Sequence, residues 1–138
     1  MRLALGVAAD YANTTVDGKL NILGVFTEVN LAQLPGALQH MFLVLSFEVE
    51  PEEFGQVIPL QVALLDEQRD EVATLEGGIV IPREHTRAGS ATLNQIIGLG
   101  GTEFQRPGRH EFIIDAAGEQ LGAVVIHVNV VEGGQDGD

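Results

Sequence analysis

Near its C-terminal end the chain reads QLGAVVIHVNVV, from Gln120 to Val131. Within that stretch Val124, Ile126, Val128 and Val130 alternate with Val125, His127, Asn129 and Val131. Period two is the repeat of an extended strand, whose successive side chains point to opposite faces. Similar stretches recur along the chain, each short, rich in apolar residues and bounded by Gly, Pro, Asp or Asn. A chain patterned this way must bury its strand faces against one another, so it folds as packed β-sheets.

The pattern predicts about eight strands, over residues 2–12, 19–29, 40–50, 57–65, 71–81, 91–99, 109–115 and 120–131, and no convincing helix. Asp17-Gly18 supplies the positive backbone angle that a tight turn between the first two strands needs. A looser connection, NLAQLPGALQ, follows, with Pro35-Gly36 as its breaker. In the third strand Met41, Leu43, Leu45, Phe47 and Val49 share one face; Phe42, Val44, Ser46 and Glu48 share the other. Leu60, Val62 and Leu64 are expected to face inward in the fourth strand. Pro59 cannot donate to a ladder, which predicts an edge or a bulge there. In the fifth, EGG predicts a bulge. Phe112 and Ile114 are expected inside, with His110 in phase with them as a cap on the core. PREHTRAGS reads as a loop.

Short connections make neighbouring strands antiparallel, and a two-sheet sandwich is the natural way to bury such faces. The expected fold is therefore all-β, an antiparallel sandwich in one domain over residues 1–131, with a flexible acidic tail at 132–138.

Composition then narrows the function. The chain holds 20 Asp and Glu against 7 Lys and Arg, a net charge of -13. Such a surface repels phosphate backbones and acidic lipid, which argues against nucleic-acid and membrane partners. No apolar run approaches the ~20 residues of a membrane helix. There is no cysteine, so disulfides, thiolate catalysis and zinc–thiolate sites are out. That absence fits a reducing compartment, and a cytoplasmic location is expected. The start, MRLALGVAADYA, faintly resembles a signal peptide, but its apolar core is short and contains Gly6; it reads as the first strand.

Three segments taken together carry a resemblance: ADYANTTVDGKLNILGVF, LQVALLDEQRDEV and NQIIGLGGTEFQRPGRHEFIIDAAGEQLGAVVIHV. In these the chain resembles a family of short uncharacterised bacterial proteins defined by a domain of unknown function, over most of its length to about Val131. The resemblance implies an immunoglobulin-like sandwich in a small stand-alone protein. It implies no activity and no catalytic residues.

Motifs for chemistry are sparse. His40, His85, His110 and His127 lack the spacing of a zinc pair, and no metal or other cofactor is expected. Ser46 and Ser90 lie in no nucleophile motif, and no enzyme activity is expected. GLGG at 98–101 lacks the lysine of a phosphate loop. With no Trp and one Tyr, the chain is poor in the flat aromatics that sugar-binding sandwiches offer. The loops from Asp10 to Asp17, Asp66 to Asp70 and Asp115 to Glu119 are the places where a small molecule or calcium would bind, though none matches a calcium-loop pattern.

The apolar excess is the more informative feature. The first two strands are apolar on both faces, with Leu3, Leu5 and Val7 set against Ala4, Gly6 and Ala8, and Leu20 and Ile22 against Leu23 and Val25. A sheet with one wet face alternates more cleanly. Either the chain's own loops cover the second face or another chain does. The expected function is a non-enzymatic module working through protein–protein contacts, as a homo-oligomer or with another protein. Its expected interface is Ala4, Gly6, Ala8, Tyr11, Leu23 and Val25.

Overall fold

A computed structural model describes residues 1–83 and 91–132. His85, Ser90, most of PREHTRAGS and all but Glu132 of the tail lie outside the described residues. The strands are β1 (Arg2–Thr14), β2 (Leu20–Phe26), β3 (Glu28–Leu31), β4 (Gly36–Ala37), β5 (Phe42–Val49), β6 (Val57–Leu65), β7 (Glu71–Val80), β8 (Ala91–Gly98), β9 (Glu103–Phe104), β10 (Gly108–Ala116) and β11 (Glu119–Val130). One 3-10 turn, Pro51–Glu53, follows β5, and the described residues contain no α-helix.

The strands form an all-β, sandwich-like pair of sheets. One sheet has the order β2-β1-β5-β8 and the other β3-β11-β10-β6-β7, while β4 and β9 make a two-residue ladder beside them. The core lies between the two large sheets. Leu43, Leu45, Phe47 and Val49 of β5 meet Val62 and Leu64 of β6, Phe112 and Ile114 of β10, and Val124, Ile126 and Val128 of β11. Each of the larger side chains contributes roughly 1.5–3 kcal/mol by leaving water. The alternation read in β5 and β10 therefore marks the buried faces correctly.

Four local expectations are corrected. The run over residues 19–29 is two strands: the chain leaves the first sheet after Phe26 and enters the second at Glu28. Its continuation β3 extends into the connection expected to be loose, and it pairs with β11 in parallel, so the sheets are not wholly antiparallel. The EGG segment carries no bulge: Gly77 and Gly78 pair in register with Leu60 and Pro59, and the irregularity falls between Leu64 and Leu65. Pro59 lies in an interior strand, at its end, beyond the Leu60–Ala116 pair where the β10 ladder stops. Its missing donor therefore costs no bond to β10.

Candidate functional site

The hairpin of β1 and β2 shapes the first candidate surface. Its turn is closed by Thr15, whose backbone N–H donates to the Lys19 carbonyl at 2.8 Å and whose carbonyl accepts from Gly18 N–H at 3.0 Å. Gly18 has φ +84, the conformation for which Asp17-Gly18 was read. Asp17 accepts from the Thr15 hydroxyl and pairs with Lys19 Nζ at 3.2 Å. The Thr15 hydroxyl, then the Lys19 ammonium, hold its carboxyl below the usual aspartate range.

The tip reaches far across its own sheet. Asn94 Nδ2 on β8 donates to the Gly18 carbonyl at 3.5 Å, although β5 separates β8 from the hairpin's strands. This contact places the turn over the outer face of the sheet. It agrees with the burial of Val44 and Ser46, which occupy that outer face yet are 0% and 6% exposed. Part of the second apolar face is thus covered by the chain itself.

The part left open lies at the base of the hairpin. Tyr11 stands opposite Leu23 and Ala9 opposite Val25 in the β1–β2 ladder. Tyr11, Leu23 and Val25 are 47%, 62% and 57% exposed, while Ala9 is buried. The Tyr11 ring is propped edge-on against Phe42, with centroids 5.7 Å apart. Gly24, between Leu23 and Val25, has φ +69, and the Asp10 side chain occupies the space a Cβ would need, its Cγ at 2.9 Å.

The other expected interface residues are placed differently. Ala4 is exposed, at the register shift between Leu3 and Leu5. Gly6 and Ala8 face the interior: a Cβ on Gly6 would meet Val124 Cγ2 at 2.8 Å, and Ala8 belongs to the core. Leu5 and Val7 take the outer side instead. Because both faces of β1 are apolar, period two marks the strand but not which face is inside.

The second candidate is polar. The β6–β7 turn, the start of β7 and the 102–106 connection enclose an open cavity of about 490 Å³. Asp66 builds its wall: Oδ1 accepts the backbone N–H of Gln68 and of Asp70, both at 2.9 Å. Arg106 Nη1 lies 3.3 Å from Asp66 Oδ2 and 2.7 Å from Asp70 Oδ2, and also donates to Gln68. Glu71 and Glu103 line the same space. His110, part of the wall, is 1% exposed. Its Nδ1 lies 3.0 Å from the Gly108 carbonyl, to which it donates, and its buried Nε2 has no hydrogen-bond partner among the described residues. Phe104 packs edge-on to the ring at 5.4 Å. His110 does cap the core as its phase predicts, and Asp66 and Asp70 lie in one of the loops expected to bind a ligand, but the approach of Arg106 joins a distant segment and leaves no local signature.

The remaining expected positions stay apart. His40 and His127 are exposed on different elements. The turn from Asp115 to Glu119 is closed by Ala117 and Gly118 at positive φ. Among the described residues no group of three or more His, Asp or Glu is arranged to hold a metal ion, and no helix is long and apolar enough to cross a membrane.

Residues 5–129 match the model of a family of unknown function, DUF6941. The chain belongs to this family. No curated protein matches the sequence. Among solved structures it is similar to the Pseudomonas fluorescens alkylpurine DNA glycosylase AlkC bound to DNA containing an abasic site analog, at 18% identity and TM-score 0.39, covering 75% of this chain and 27% of that one. It is also similar to a β-glucosidase from Listeria innocua in complex with gluconolactone, at 13% identity and TM-score 0.40, covering 75% of this chain and 14% of that one. The family member described here thus spans under a third of each of these larger chains.

Proposed function

We propose that this protein is a non-enzymatic, immunoglobulin-like sandwich module that acts through protein–protein contact, and that its first partner is a second copy of itself. The observation that carries this reading is the Tyr11–Leu23–Val25 patch: three large apolar side chains, each about half exposed, adjacent on one ladder. A tyrosine braced by Phe42 is a rigid anchor of the kind that dominates interface energetics. The three residues carry no charge in a chain of net charge -13. Two like-charged copies can approach closely only where the contacting surface is neutral, which favours self-association here.

The test is the native mass by light scattering across micromolar concentrations. The expected result is a multiple of 14.7 kDa for the wild type and a single-chain mass for Leu23→Glu. A wild-type monomer throughout that range overturns the reading.

A second reading is small-molecule or calcium binding at the end loops, and one observation favours its small-molecule form: the buried Nε2 of His110, unpartnered among the described residues, in the wall of the carboxylate-lined cavity. A ligand specific to the folded state must raise thermal stability. An unchanged melting temperature across calcium and a small-molecule screen would count against it.

A further inference from the structure

We propose that the outer edge of β7, which pairs with no strand among the described residues, docks an extended peptide strand of another protein, one in which apolar and basic residues alternate. This surface is separate from the Tyr11 patch, since β7 and the β1–β2 hairpin belong to different sheets.

The edges of the two sheets are unequally protected. β3 is only four residues long. β2 is interrupted by Gly24 at positive φ. β8 is shorter than β7, at eight residues. β7 is ten residues long, contains no proline and no residue at positive φ, and pairs with β6 in unbroken register from Val57–Val80 to Leu64–Ala73. Its outer side therefore offers a straight row of backbone N–H and C=O groups, a ready template for one more strand. Gly77, where a Cβ would find no atom within 4 Å, leaves that backbone open to approach.

Register supplies the chemistry of the partner. On the outer face the ladder sets Asp115 beside Gln61 and Gln61 beside Glu76. Neither the Glu76 nor the Asp115 side chain has a hydrogen bond or ion pair among the described residues, and both residues line an open cavity of about 460 Å³. On the inner face the neighbouring row runs Ile114, Val62, Leu75. It borders a cavity of about 190 Å³ in the seam between the sheets, walled mainly by Leu60, Val62, Leu75 and Ile97, with Gln95 and Glu76 at it as well. A strand added to β7 continues both rows, because side chains alternate with period two. Residues extending the acidic row must be basic and those turned to the seam apolar. A second copy of β7 does not fit, since it brings further acids to Glu71 and Glu76.

The test uses the whole protein and a fluorescent peptide of alternating Val and Lys, with anisotropy for affinity and amide hydrogen exchange for location. The expected result is saturable binding, slowed exchange of outward β7 amides, and affinity about tenfold weaker for Glu76→Lys at low salt. Peptides N-methylated at every second residue, one set in each register, should include a set that does not bind. The Leu23→Glu variant should bind as tightly as the wild type, which separates this proposal from self-association. The proposal is overturned by absence of saturable binding, by equal affinity for a Val-Glu peptide, by equal binding of both N-methylated sets, or by unchanged β7 exchange.

Discussion

Gly24 occupies a conformation that L side chains reach only at a cost, and the Asp10 side chain fills the place its Cβ would take. Gly24→Ala is expected to lower stability by about 1–2 kcal/mol or more from backbone strain alone, read by urea unfolding. Asp66 is a different kind of necessity, a 7% exposed carboxylate that accepts two backbone donors and faces Arg106. Asp66→Ala leaves those donors unpaired and should cost about 1–3 kcal/mol, whereas Asp66→Asn keeps an acceptor and should cost less. Asp17 tests the hairpin tip. Its depressed carboxyl pKa means that the turn's contribution is present above the ordinary aspartate pKa and is lost as pH falls through the folded value. Carboxyl carbon shifts followed by NMR should place the Asp17 midpoint below that of the Thr15→Ala variant.

At the scale of elements, β1 is the instructive case. Gly6 faces Val124 across the core, so Gly6→Val is expected to overpack the sandwich and destabilise it by about 1–3 kcal/mol, while the native mass of the folded fraction stays that of the wild type. Thermal unfolding and light scattering on one sample check both halves. β5 and β10 were legible because their inward residues alternate cleanly. The faces of β1 were not, because two apolar faces give period two without a direction, and the register shift at Leu3–Leu5 displaces the phase. The β2–β3 boundary was invisible because LNILGVFTEVNL keeps a strand-like apolar pattern across it; only the bend at Thr27 and the pairing on either side reveal that the chain changes sheets there. Two-residue strands such as β4 and β9 are too short to carry a period. Tyr11, Leu23 and Val25 could be picked out as surplus apolar residues. Of the polar wall, the Asp66–Asp70 loop could be picked out as a place for a ligand, but Arg106 could not, since it meets them only after the β6–β7 turn and the 102–106 connection have converged.

For the whole molecule the net charge of -13 opposes every contact between copies, however neutral the patch itself. Screening that repulsion should shift the equilibrium toward the oligomer, so light scattering at ~1 M salt, where the Debye length is about 3 Å, should give a higher mass fraction of oligomer than at low salt. A fall in oligomer with salt would mean that ion pairs, not apolar contact, hold the copies together. The place of β11 has a further consequence. It lies between β3 and β10, from early and late parts of the chain, and it supplies Val124, Ile126 and Val128 to the core. Until the ribosome has released the segment through Val130, β3 has no neighbour in its sheet, and a chain made as far as Ala116 holds β3, β10, β6 and β7 with the second of five places empty. A nascent chain that has β10 but not β11 therefore carries two open strand edges and an unfilled apolar slot, and a translational stall just before Glu119 would leave it in its most aggregation-prone form.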